Sequence, residues 1–206
     1  MKKNLIPDWL KNWYVSSLNP LVRLSTAWHI HPNFFTTLSL LISLLSAWVL
    51  ATGHLRWGGI LILVSGTFDI IDGAVARATN TSSKFGAFYD STLDRYAELA
   101  VFFGVLAYYL NYGSAGLVGH VFWPIGLAIC GSFMVSYIRA RAEGLGFECK
   151  MGMMQRPERI VLLGFGAIFH ERILMFFIIL IALLSNLTAI QRMLHIWKLS
   201  KSSQPK

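Results

Sequence analysis

The run from Phe34 to Thr52 carries no charged side chain and is closed by Gly53, and it restricts the fold more than any other feature of the sequence. About 20 apolar residues in a helix cross the hydrocarbon of a bilayer, where a helix satisfies every backbone N–H and C=O group within itself. Similar stretches recur along the chain. A second starts near Trp57 and stays apolar to Phe68, so it must continue through Asp69 and Asp72 towards Ala78 to reach spanning length. A third begins near Ser83 and passes through Asp90 and Asp94 to Leu110, and a fourth covers Val121 to Ile138. The fifth, Ile160 to Phe169, is half the usual length and has to borrow from Met151 to Arg159; the sixth runs from Ile173 to about Ile190. The expectation is an all-α integral membrane protein of six transmembrane helices, one domain over residues 1–206. Only 14% of the residues are charged, against about a quarter in soluble domains.

Ahead of the first span, Leu5, Ile6, Trp9, Leu10, Trp13 and Tyr14 recur at three- to four-residue spacing, with Pro7 near the start and Lys11 and Asn12 on the other side. This predicts an amphipathic helix within residues 1–20, lying in the membrane interface or packed on the bundle. Residues 196–206 read as a basic tail. The first residues lack the apolar core of a cleavable signal, and none is expected.

Of the 18 Lys and Arg residues, only Arg56 and Arg172 fall on the far side when six spans place both termini together. Short cytoplasmic loops carry the basic excess, so both termini are expected in the cytoplasm, with the chain in a cell membrane. The formal charge of +8 suits an anionic leaflet; nucleic acid is not an expected partner. Cys130 and Cys149 form neither a disulfide framework nor a metal knuckle, and the six histidines are scattered at helix ends.

Asp69, Asp72, Asp90 and Asp94 stand close together in a chain with only 10 acidic residues. Spacings of three and four place Asp69, Asp72 and Gly73 on one helix face, and Gly86, Asp90 and Asp94 on another. Unpaired acids at membrane depth are costly, so a cation is expected among them. Oxygen ligands without His or Cys favour Mg²⁺, Mn²⁺ or Ca²⁺ over zinc, and a pair of ions suits phosphoryl displacement. Glu98, one turn beyond Asp94, either extends the acidic ridge or forms a salt bridge. A basic set, Arg139, Arg141, Arg156, Arg159 and Arg192, falls near the same ends and suits a phosphorylated ligand. A transporter is the rival class, but it predicts acids spread through the membrane depth and repeated halves.

The pattern Asp69-x2-Asp72-Gly73-x2-Ala76-Arg77-x8-Gly86-x3-Asp90-x3-Asp94 resembles the complete signature of the CDP-alcohol phosphotransferases. Pro32 to Thr36, Ser136 to Glu143, Arg156 to Arg159 and Gln191-Arg192 are similar to segments of bacterial phosphatidylinositol-phosphate synthases. The resemblance implies transfer of a phosphatidyl group from CDP-diacylglycerol to a phosphorylated polyol, with release of CMP. It implies metal, Mg²⁺ or Mn²⁺, on Asp69, Asp72, Asp90 and Asp94, with Asp94 also taking the acceptor's proton. Gly73 and Arg77 would meet the CDP moiety, Asn33 to Thr36, Ser83 and Gly86 would lie on the nucleotide side, and Ser136, Arg139, Arg159 and Arg192 would hold the acceptor phosphate. It further implies a homodimer. Arg139 stands where the resembled subgroup has Lys, a planar fork in place of a point charge. The acceptor is expected to be an inositol phosphate, with glycerol 3-phosphate as the alternative.

Overall fold

The structure, a computed structural model, describes residues 7–149 and 151–202. Leu5, Ile6, Lys150 and the end of the tail, 203–206, lie outside the described residues. Among those described, the chain is helical throughout, in the order α1 (Asp8–Ser17), α2 (Asn19–Ala27), α3 (Pro32–Ala51), α4 (Leu55–Ala78), α5 (Lys84–Tyr112), α6 (Ala115–Val118), α7 (Phe122–Gly144), α8 (Arg156–Phe169) and α9 (Glu171–Ser202). Four of these, α3, α4, α7 and α9, are long and apolar enough to cross a membrane. The 29-residue α5 carries Lys84, Asp90, Asp94, Arg95 and Glu98, and α8 has 14 residues.

Helix boundaries differ from the sequence pattern in three places. The predicted N-terminal helix breaks at Leu18, and α2 restarts with Pro20 in its first turn, a position that suits proline. The polar segment Arg139 to Glu143 remains in α7, supported by the Arg139–Glu143 pair at i,i+4. With no Gly or Pro to stop it, α9 runs on from Ile190 to Ser202, so the first part of the basic tail is helix.

Small residues set how closely the helices approach. Ser39 and Ser43 of α3 donate hydrogen bonds to Ser65 of α4 (both 2.9 Å), and Ser46 donates to the Gly58 carbonyl (2.9 Å). A Cβ on Gly59 would lie 2.7 Å from the Gly164 carbonyl oxygen, and one on Gly131 would lie 2.9 Å from the Asn186 nitrogen; α4 thus meets α8, and α7 meets α9, at close range. The main core joins Ile62, Phe102, Ile125, Leu163 and Ile178. A second cluster packs Leu18 and Val22 against Phe35, Ile71 and Val75, which anchors the start of α2 on the α3–α4 end that bears the acids. Trp9 and Trp13 of α1 are exposed, while the Tyr14 hydroxyl meets Thr67 Oγ1 at 2.6 Å.

Candidate active site

The end of α4 and the start of α5 bring three carboxylates into one group. One oxygen from each of Asp69, Asp72 and Asp90 lies within 4.8 Å of the others. Helical phase explains this: Asp69 and Asp72 are nearly one turn apart on α4, and Asp90 faces them from α5. Asp72 is buried, and Thr36 of α3 donates a hydrogen bond to its Oδ2 at 2.7 Å, which fixes the carboxylate's orientation. Asp90 Oδ1 is buried with no hydrogen-bond partner among the described residues. A buried, unsatisfied oxygen on one member of a three-carboxylate group fits a hard divalent cation, so the donor set agrees with the metal expected from the sequence.

Asp94, one turn beyond Asp90, stands outside the triad. Its Oδ1 is 2.7 Å from Arg156 Nη1, which is also ion-paired with Asp69 Oδ1, and its Oδ2 is 3.7 Å from Arg95 Nη1. Arg156 was not singled out from the basic set by sequence reasoning. Its only signal is its place three residues before Arg159 in Arg156-Pro-Glu-Arg159, at the start of α8.

Around the acids, the residues expected on the nucleotide side fall into three groups. Gly73 and Arg77 are adjacent on α4, where a Cβ on Gly73 would lie 3.3 Å from Arg77 Nη1. Ser83 caps α5 by accepting from the Gly86 N–H at 2.9 Å, and a Cβ on Gly86 would meet Ser83 Oγ at 3.1 Å and Asn33 Oδ1 at 3.6 Å. Asn33, Ser83 and Gly86 therefore share one corner, at the starts of α3 and α5. Thr36 belongs with Asp72.

The four residues expected at the acceptor phosphate each have separate contacts. Ser136 bonds the Ser132 carbonyl (3.2 Å) and lines, with Ser91, Thr92 and Arg95, a cavity of about 450 Å³ between α5 and α7. Arg139 is exposed and paired with Glu143 at 2.8 Å. Arg192 is buried, donating to the carbonyls of Met151 (2.7 Å) and Val135. Arg159, 1% exposed, forms a fork with Glu98, Nε to Oε1 at 2.5 Å and Nη2 to Oε2 at 3.0 Å, and also donates to the Met154 carbonyl. For Glu98 the salt-bridge reading holds.

This combination of an acid group shared by consecutive helices and a helical bundle has close counterparts. The chain is 36% identical over 170 residues to the archaetidylinositol phosphate synthase of Methanothermobacter thermautotrophicus, covering 81% of this chain and 83% of that one. It is 37% identical over 155 residues to the phosphatidylinositol phosphate synthase of Mycobacteroides abscessus, covering 73% and 68%. The Mycobacterium tuberculosis phosphatidylinositol phosphate synthase with CDP-DAG bound superposes with a TM-score of 0.76 at 30% identity, covering 86% of this chain and 92% of that one. The same enzyme in complex with manganese and citrate gives 0.75. Residues 29–200, which include all four aspartates and every arginine described above, match the CDP-alcohol phosphatidyltransferase family, and the chain belongs to it.

Proposed function

We propose that the chain transfers a phosphatidyl group from CDP-diacylglycerol to the hydroxyl of a phosphorylated polyol. The observation that carries this is the Asp69–Asp72–Asp90 group with Asp94 beside it, at the meeting point of α4 and α5. Two divalent ions, Mg²⁺ with Mn²⁺ as substitute, held by Asp69, Asp72, Asp90 and Asp94, supply Lewis-acid stabilisation of the diphosphate when bound. Arg77, over Gly73, adds positive charge for the CDP phosphates, and Asn33, Thr36, Ser83 and Gly86 form the nucleotide side. Asp94 takes the proton of the acceptor hydroxyl. The acceptor oxygen then bonds to the lipid-side phosphorus, the bond from that phosphorus to the bridging oxygen breaks, and CMP leaves with the electron pair.

Ser136, Arg139, Arg159 and Arg192 are assigned to the acceptor's phosphate, with an inositol phosphate as first acceptor and glycerol 3-phosphate as second. Names of the relatives support the first; Arg139 in the place of Lys is why the second belongs in the test. The setting is a six-span homodimeric protein, one domain over 1–206, in the cell membrane, with termini and site facing the cytoplasm. On this reading α5 and α8 complete the six spans and the N-terminal helix lies in the interface, where the exposed Trp9 and Trp13 suit it. The test is purified full-length protein with CDP-diacylglycerol, Mg²⁺ and each acceptor separately, following CMP. CMP formed only with one polyol phosphate is the expected result. No CMP with any of them, or full activity in Asp94→Asn, overturns the proposal.

A further inference from the structure

Two arginines at the start of α8 are held in opposite ways. Arg159 is fixed by a two-nitrogen fork on Glu98 and a third bond to the Met154 carbonyl. Arg156 makes its nearest approach to both of its carboxylates, on Asp69 and Asp94, through the same Nη1, and its Nε is buried with no hydrogen-bond partner among the described residues. Bidentate pairing through Nε and Nη2 holds a guanidinium in one orientation, whereas one that leaves its Nε unbonded is held less firmly. The less firmly held arginine is thus the one that touches the aspartates.

Its placement also sets two cations against each other. Asp69 belongs to the carboxylate triad, and Asp94 does not; Arg156 bridges them. Asp94 Oδ1 is already ion-paired with Arg156 Nη1 at 2.7 Å. A divalent ion on that oxygen would sit against a guanidinium at contact distance, and like charges at that range in a partly desolvated site repel strongly. With the guanidinium gone and no ion present, the carboxylates would repel one another instead.

We propose that Arg156 is an internal counter-ion for the Asp69–Asp94 side of the site and alternates there with a divalent cation, so that cation binding at Asp94 requires Arg156 to swing off Oδ1. This rests on the metal reading given above and adds a competitor for the ion within the chain itself. The competition makes the Asp94 side the weaker of two cation positions, and the Asp69–Asp72–Asp90 triad the stronger.

The experiment is Mn²⁺ titration of the detergent-purified full chain, read by the EPR signal of the free ion, for wild type, Arg156→Gln, Arg156→Lys, Asp94→Asn and the Arg156→Gln/Asp94→Asn double variant. Arg156→Gln is expected to tighten the weaker binding event by at least about tenfold, the scale of removing one like charge at contact distance. Arg156→Lys should tighten it less, and the gain should vanish in the Asp94→Asn background. Weaker or unchanged Mn²⁺ binding in Arg156→Gln overturns the proposal and makes Arg156 a support for the bound ion. Thermal unfolding gives a second readout: chelator should lower the Tm of Arg156→Gln well below its effect on wild type. If Arg156→Gln does not fold, Arg156→Lys decides by the same two measurements, and no change in either overturns the proposal. Wild type that binds no Mn²⁺ sinks both the metal reading and this one, whereas intact Mn²⁺ coupling without CMP release sinks the transfer reaction alone.

Discussion

Glu98 and Arg159 join α5 to α8 by a fully buried two-nitrogen ion pair, one helical turn deeper along each helix than the Asp94–Arg156 pair. The backbones of these two helices barely approach one another, and the two charged pairs reach across between them. The inner pair is closed and geometrically complete. The outer pair shares its arginine with Asp69, and it lies at the site. One helix pair thus carries one rung closed on itself and one rung shared with the site.

Breaking the buried fork should therefore be costly. In Glu98→Gln, Arg159 would keep its charge in a buried position without a carboxylate, and removing one partner of such a pair costs about 3–5 kcal/mol. Thermal unfolding in detergent should show a large fall in Tm for Glu98→Gln, with much of it restored by the double change Glu98→Gln/Arg159→Met. A Tm within error of wild type for the single variant would show that the pair does not stabilise the fold.

The acid group gives a graded expectation for chelation and for charge removal. Treatment with EDTA should abolish CMP release, and Mg²⁺ or Mn²⁺ should restore it. Asp72→Asn should lose about 10²-fold or more in kcat, because it removes a ligand that is buried and held by Thr36. Initial-rate assays across a metal series would check both. Activity undiminished by chelator would contradict the assignment of the carboxylates to metal.

Much of this arrangement is legible in the sequence, because an apolar run such as Phe34 to Thr52 has one physical solution in a bilayer. The phase of Asp69, Asp72, Asp90 and Asp94 follows from helical spacing, and the structure does place three of them within one group. The partners of the arginines are a different matter. Arg156 and Arg159 lie three apart on one helix, and which of them meets an aspartate depends on the rotation of α8 against α4 and α5. That rotation is set by close packing such as Gly59 on Gly164 and Ala167, which no local pattern reveals. The break at Leu18 is mixed: Pro20 marks it locally, whereas the packing of Leu18 and Val22 on α3 and α4 is tertiary.

Gly104 tests whether the approach of α3 to α5 matters for the site. A Cβ there would lie 2.5 Å from Ala47 Cα and 2.6 Å from its carbonyl oxygen, backbone atoms that cannot rotate away. Gly104→Ala must separate the two helices, and overpacking of this kind costs about 1–3 kcal/mol. Gly126→Ala is the matched control, since nothing lies within 4 Å of its Cβ position and alanine is the better helix former. The Tm should fall for the first and hold or rise for the second; equal behaviour would refute the close contact.

Thr36 carries the last prediction, because it separates orientation of a carboxylate from binding of a nucleotide. Its hydroxyl donates to Asp72 Oδ2 at 2.7 Å in a buried setting, with the Pro32 carbonyl at 3.4 Å as its other contact. A hydrogen bond to a ligand carboxylate fixes which oxygen faces the ion, and losing such support typically costs about 10- to 100-fold in metal affinity or activity. Thr36→Val keeps the shape and removes the donor; Thr36→Ser keeps the donor. If Thr36 acts through Asp72, Thr36→Val should raise the Mn²⁺ concentration needed for half-maximal activity while the KM for CDP-diacylglycerol at saturating Mn²⁺ stays near wild type, and Thr36→Ser should restore both. A raised KM at saturating metal, with unchanged metal dependence, would place Thr36 on the nucleotide instead.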